Sequence, residues 1–376
     1  MSDRAGVVVI GGGIVGAAIT CELAGAGADV VLVERGLVAC GSSGKPIGGV
    51  RGHFSDALNV SLAARSLEHY EQMGADIGLD HVGYLFLLRE PEHVAAFERS
   101  VALQVGHGMP ARIVSADEAA ELCPLIDRDA FIAAALSPAD GHALPMTAAV
   151  RYLEAAGQHG ARVITNCAVT GIDVRDGEIT AVETERGVIE TSTVVCAAGA
   201  WSRQIGALAG VTLEVEPLRR QIVFGARPAD TPERLPFTID YATTFYFHSG
   251  GEDLLLGISD PAERVGFDTS YSDAWVPTLR AAAARCAPAL ADVDLRHGWA
   301  GLYEMTPDHN ALIGESPAVS RFLYATGFSG HGFCQAPATA EVIRDLVLGR
   351  EPFLDVAPLR AERFAERTPI FEANIV

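Results

Sequence analysis

Three glycines, Gly11, Gly13 and Gly16, follow directly on the run Val7-Val8-Val9-Ile10 and lead into Ile14-Val15-Gly16-Ala17-Ala18-Ile19. In this G-x-G-x-x-G spacing the first glycine permits a tight turn. The second lets the backbone approach a pyrophosphate, and the third lets helix and strand pack closely. The phosphates then meet the N–H groups and positive dipole end of the helix opened by Ile14 and Val15. A second run, Asp29-Val30-Val31-Leu32-Val33-Glu34, ends in a carboxylate placed to grip a ribose hydroxyl, with Arg35 beside it. Glu34 also argues against a 2′-phosphate, and so against NADP. A glycine turn of this spacing can bind nothing; the strand, helix and acid around it make it a dinucleotide site.

These residues need a scaffold, and the composition supplies one. The 376 residues are 49% hydrophobic and 20% charged, enough for two or three domains with ample core. Twenty-eight basic against 48 acidic residues leave a net charge of −20, which disfavours nucleic acid and anionic membranes. No apolar run is long enough to span a bilayer, and the N-terminus does not read as a signal peptide, so a cytoplasmic location is expected. The seven cysteines are scattered without a C-x-x-C pair, which excludes common zinc and iron–sulfur spacings and points to reduced thiols. No metal site is expected.

A glycine- and serine-rich segment, 36–54, holds Ser42, Ser43, Gly48 and Arg51 and is too long for a tight connection. Helical periodicity follows in 57–74 (Leu58, Leu62, Arg65, His69 and Met73 on one face), in 91–106, and in 145–157 with Met146, Val150 and Leu153 inward. Ser115 and Glu118 form a capping box. Residues 161–164 read as a strand, and 167–174 with 178–184 as a hairpin. Val194 to Trp201 is a buried strand ending in small residues, including Gly199, as passage beside a cofactor or a crowded helix contact would require. Alternation marks strands at 213–224, 243–248 and 254–258. After a helix at 277–286, the pattern returns to a strand at 322–326, a glycine loop and a last helix, with Pro337 at its start and Gly349 at its stop.

The stretch Gly301-Leu302-Tyr303-Glu304-Met305-Thr306-Pro307-Asp308-His309-Asn310-Ala311-Leu312-Ile313-Gly314, followed by Gly327-Phe328-Ser329-Gly330-His331-Gly332-Phe333, resembles the D-amino-acid oxidase-like (DAO) superfamily of FAD enzymes. The similarity is nearest the sarcosine oxidase, dimethylglycine dehydrogenase and glycine oxidase group and runs from Val7 to about Gly349. It implies an α/β fold: an FAD-binding, doubly wound parallel sheet (Rossmann-like) from 1–54, 141–205 and 298–376. A mixed, largely antiparallel substrate domain would come from 55–140 and 206–297. The site is expected between them.

The resemblance also implies roles. Gly11, Gly13, Gly16 and Glu34 would hold the ADP half; Ser42 and Ser43 would reach the pyrophosphate or flavin, beside Gly48. Val169 would lie against the adenine, and Gly199 and Trp201 would line the cofactor, as would Gly301 and Gly327. Gly330, His331, Gly332 and Phe333 would face the flavin's pyrimidine edge, where helix N–H groups favour the negative charge of reduced flavin. Arg51 would bind a substrate carboxylate with its planar fork.

Two departures refine this. Gly301 stands where monomeric sarcosine oxidase has its flavin-tethering cysteine, so noncovalent FAD is expected. Cys334 replaces a substrate-binding lysine, and the strand 254–257 lacks the lysine linked to oxygen activation; Lys45 is the sole lysine of the chain. That lends weight to a dehydrogenase over an oxidase.

His53, two residues beyond Arg51, is a further candidate if that piece is extended. Tyr246 could line the pocket or belong to the core, as could His248. His331 could transfer a proton or act as a spacer, and Cys334 could be a redox thiol or a packing residue. The expected reaction is FAD-dependent oxidation of the C–N bond of a small carboxylated amine, with O2 or another electron acceptor. Its alternatives are an FAD-dependent 2-hydroxy acid dehydrogenase and a flavin-binding subunit or assembly factor. A partner subunit or homo-oligomer fits any of the three.

Overall fold

A computed structural model describes residues 3–366 and 369–374. Its centre is a six-stranded sheet in the order Leu312–Glu315, Phe322–Thr326, Val194–Cys196, Val7–Ile10, Val30–Val33, Arg162–Ile164. All neighbours are parallel except the antiparallel edge strand Leu312–Glu315. Chain order reverses at Val7–Ile10, and a crevice opens at the carboxyl end of a strand at such a switch point.

The strand's four residues are all buried, and alternation divides them. Val7 and Val9 join a core shared with the helices Ile14–Gly25, Pro145–Gln158 and Gly332–Val347. Val8 and Ile10 join a second core beneath a four-stranded sheet containing the hairpin Val169–Arg175 and Glu178–Thr184. With both faces covered, a continuous apolar run is what such a strand requires.

An eight-stranded sheet runs Leu295–Met305, Glu216–Gly225, Asp253–Gly257, Tyr246–Gly250, Phe237–Asp240, Tyr84–Leu88, Ala133–Ser137, Arg112–Ser115. It is antiparallel apart from the pairing of Phe237–Asp240 with Tyr84–Leu88. Phe245, Phe247, Leu254 and Leu256 face a core capped by the helix Val276–Cys286. The opposite face carries Tyr84, Phe237, Ile239 and Tyr246 toward a cavity.

Several expectations need correction. The last helix begins at Gly332, so Pro337 lies inside it. Proline lacks the N–H that would bond the carbonyl of Phe333, and the buried Tyr70 hydroxyl donates to that carbonyl instead, at 2.8 Å. In Pro145–Gln158 the inward face is Ala148, Ala149, Tyr152 and Ala156, while Met146 and Val150 are exposed. The helix lies against Ile14–Gly25, where small residues permit close approach. In Ala57–Met73 the buried face is Asn59, Val60, Leu62, Ala63, Ser66, Leu67 and Tyr70. Arg65 and His69 reach across to Glu341 of the last helix, so this helix packs on the core of the six-stranded sheet. Leu295–Met305 pairs with Glu216–Gly225 along its length, and the boundary expected at residue 298 falls inside it.

Candidate active site

The carboxyl end of the six-stranded sheet and the aromatic face of the eight-stranded sheet enclose a cavity of about 480 Å³. At one end lies the glycine turn. Gly11 has φ +112°, and a Cβ there would stand 2.4 Å from the Ala197 carbonyl oxygen. A Cβ on Gly16 would stand 2.0 Å from the Gly11 oxygen, so Gly16 packs helix on strand and does not itself line the cavity. Gly11, Gly13, Ile14 and Val15 do line it. The Ser43 hydroxyl accepts from the Ile14 N–H at 2.9 Å, and the Ser42 hydroxyl donates to the Leu302 carbonyl at 2.7 Å. The glycine–serine segment thereby joins the helix start to the eight-stranded sheet. Glu34 accepts from the N–H groups of Gly12 and Gly36, both at 2.7 Å, which holds its carboxylate at the cavity wall. The Arg35 guanidinium lies 3.7 Å from the centre of the Trp201 ring, and both line the same end with Val169 and Gly199. Gly199, at φ +54°, keeps the chain close without a side chain.

At the other end are Gly301, Tyr303, Gly330, His331, Gly332, Phe333, Tyr246 and Arg51. Gly330 has φ +101°, and a Cβ there would lie 2.3 Å from the Tyr303 ring. Gly327 and Gly48 do not line the cavity. Gly327, at φ +72°, backs onto Thr306, and Gly48, at φ +78°, backs onto the Ala143 carbonyl. Each shapes a turn behind the wall.

Arg51 is 8% exposed and reaches the cavity. Its Nη1 donates to the carbonyl of His53, its Nη2 donates to the carbonyl of Asn374 at 2.6 Å, and the guanidinium lies 4.4 Å from the centre of the Phe54 ring. Among the described residues no carboxylate pairs with it. A guanidinium carries five N–H donors, and two carbonyls leave the remainder for a ligand.

His53 is placed elsewhere. It is fully buried behind Arg51 among Phe86 and Phe97, with Nδ1 3.6 Å from an Asp140 carboxylate oxygen, and it does not line the cavity. Burial pushes its pKa down, opposed by Asp140. His248 is likewise buried, stacked on Phe237 at 4.7 Å, with its pKa lowered to about 3 by burial. Tyr246, next but one along the strand, does line the cavity.

His331 lies edge-on to Phe54 at 5.1 Å, and neither ring nitrogen has a partner. Burial, and then the neighbouring Arg51, hold its pKa well below the ordinary value, so it is neutral at neutral pH. Burial pushes the Cys334 thiol up, and its Sγ donates to the Gly49 carbonyl at 3.3 Å; it is a protonated packing residue. Glu304 is also raised by burial, though it accepts from the Gly327 N–H and Thr326 hydroxyl.

Residues 6–346 match the model of the DAO family, described as FAD dependent oxidoreductase. This chain belongs to that family. Dimethylglycine dehydrogenase of Rattus norvegicus mitochondria is 26% identical over 97% of this chain and 45% of its own length. The chain spans about half the length of such mitochondrial relatives. Glycine oxidase of Geobacillus kaustophilus is 28% identical over 96% of this chain and 98% of its own length. The crystal structure of L-proline dehydrogenase from P. horikoshii superimposes with a TM-score of 0.92 at 31% identity, covering 98% and 100% of the two chains.

FAD is thus the cofactor, and the residues present fit it. Glycine and small residues clear the backbone at 11, 13 and 197–199, and the helix N-terminus at Ile14 would meet the phosphates. Sequence reasoning missed Tyr84, Arg220 and the 369–374 segment as parts of the site. Alternation holds the missing signal for Arg220, since Arg219 and Arg220 must point to opposite faces of their strand.

Proposed function

We propose that the protein oxidises the C–N bond of a small carboxylated amine, an amino acid or its N-methyl derivative, with noncovalent FAD as cofactor. Arg51 carries this reading: a buried guanidinium at the cavity, held by two backbone carbonyls and paired with no carboxylate. Its planar fork suits a carboxylate, and anchoring that group places the α-carbon for reaction. FAD, when bound, would supply the sink for the two electrons that leave the α-carbon as a hydride, while the amine nitrogen gives up a proton. The resulting imine hydrolyses in water. Tyr84, Tyr246 and Tyr303 form the wall against which the rest of the substrate packs.

The amine must be neutral to react, so turnover rises with pH through a macroscopic pKa of the enzyme–substrate complex. The test is a visible spectrum before and after acid precipitation, then anaerobic titration with an amine panel and readmission of air. Released yellow flavin, bleached by a carboxylated amine, supports the reading. Bleaching by hydroxy acids alone, or by nothing, removes it. The response to air separates oxidase from dehydrogenase.

A further inference from the structure

Arg51 is not the sole cation facing the cavity. Arg220 and Lys45 line it too, while the carboxylates of its wall, Glu34 and Glu304, are taken by N–H and hydroxyl donors. Among the described residues, neither carboxylate pairs with these three cations or with Arg35, the fourth cation of the lining.

Arg219 and Arg220 part company on their strand. Arg219 turns outward to Glu263 at 2.8 Å and Asp268 at 2.7 Å. Arg220 turns inward. Among the described residues its Nη1 donates to the Arg219 carbonyl at 3.3 Å, and its buried Nε has no partner. The guanidinium stands 5.3 Å from the centre of the Tyr303 ring. Arg220 is the register partner of Gly301, and a Cβ on Gly301 would meet the Lys45 Cβ at 2.8 Å. Two cations therefore flank one point of the strand pair, and Lys45 stands exposed at the rim.

In a chain with 48 acidic residues, carboxylates to neutralise these cations are abundant, yet among the described residues none pairs with Arg220 or Lys45. The Arg220 Nε is out of water without a partner, which is costly, so the arrangement suits a ligand that brings the negative charge with it. The glycine turn and the helix start at Ile14 would take the phosphates of FAD at the other end of the cavity, which would leave Arg220 for another anion. Tyr303 stands among these groups, and its hydroxyl feels the positive charge of both Arg220 and Arg51.

We infer that Arg220, assisted by Lys45, forms a second anion subsite beyond Tyr303 from Arg51, and that the substrate is an amine bearing two acidic groups. This rests on the reading of Arg51 above. Arg220 would bind the distal acid as a fork, and Lys45 would add a point charge at the entrance.

The test uses the purified holoenzyme and unreactive acids, read by perturbation of the flavin spectrum. Acetate is compared with succinate and glutarate. The wild type is expected to bind at least one of the two dicarboxylates about tenfold or more tightly than acetate. Arg220→Met is expected to bring that affinity down to the acetate value, and Lys45→Gln, at an exposed position, to cause a smaller loss without threatening the fold. Equal binding of mono- and dicarboxylates by the wild type overturns the subsite while leaving Arg51 in place. An Arg220→Met protein that folds but sheds its flavin overturns it as well, making Arg220 a cofactor contact. If no acid perturbs the flavin, the carboxylate reading of Arg51 falls and the subsite with it.

Discussion

At the scale of single residues, Arg51 and His331 make opposite demands on charge. Arg51 stays cationic between two carbonyls, and a bidentate guanidinium–carboxylate contact is strong because geometry and charge act together. Arg51→Ala is expected to raise KM for the amine acid by about 30-fold or more, with flavin content unchanged, in steady-state kinetics and flavin absorbance. Arg51→Lys should recover only part of this, because an ammonium cannot reproduce the fork. His331 is buried, neutral and without a partner. Held neutral, it carries no imidazolium proton to lose as pH rises past neutrality, so the rise of kcat with pH should persist in His331→Gln; its disappearance would make His331 the titrating group. Gly16 sets a steric limit: with 2.0 Å between a new Cβ and the Gly11 oxygen, Gly16→Ala should purify with little or no flavin.

At the scale of elements, two contacts hold the site's walls. Pro337 frees the Phe333 carbonyl within Gly332–Val347, and Tyr70 of Ala57–Met73 satisfies it. Tyr70→Phe leaves that carbonyl buried without a donor and should cost about 1–3 kcal/mol in denaturant unfolding. Pro337→Ala restores a local N–H, so the double mutant should lose less than the two single mutants added together.

The second contact is the segment 369–374. Glu372 accepts from the Ser55 N–H and the Asn59 amide, the Asn374 side chain donates to Ser100, and the Asn374 carbonyl holds Arg51. Asp56 caps the same helix start. Burial, reinforced by Glu372, pushes the Asp56 pKa up to about 6. A carboxyl whose folded pKa is raised contributes stability below its unfolded pKa and loses it as pH rises through the folded value. The segment should therefore be held more tightly at pH 4–5 than at pH 7, as hydrogen exchange of the 369–374 amides can read; Asp56→Asn should flatten that dependence.

At the scale of the molecule, buried histidines act the other way. His53, His248 and His331 all have lowered folded pKa values, so their contribution is present above the ordinary histidine pKa of about 6.5. It is lost as pH falls below that value, by up to about 1.4 kcal/mol per pH unit for each ring. Global unfolding at pH 5 should accordingly need less denaturant than at pH 7.5, even as the 369–374 segment tightens. The cavity that would hold FAD is walled by both large sheets, so stripping the cofactor should lower the melting temperature in a flavin-dependent manner. Among the described residues, no helix is long and apolar enough to cross a membrane.

The first forty residues carry their own structure because their information is local. A glycine turn between an apolar strand and a helix needs only neighbouring residues, and Val7–Ile10, Ile14–Gly25 and Glu34 lie where periodicity and spacing place them. The aromatic strand, expected at 243–248 and found at Tyr246–Gly250, and the glycine loop before Gly332 were legible for the same reason. Tertiary structure decided what depends on distant partners. It turned Met146 and Val150 outward, because a small-residue face found another helix, and it buried His53 behind Arg51. It also brought Arg220 and Lys45 to one cavity and set the carbonyl of Asn374 on Arg51 at its wall, from segments far apart in the chain. Local pattern determines which way a strand or helix can face; which charges are left without a counter-charge depends on the packing of every element around them.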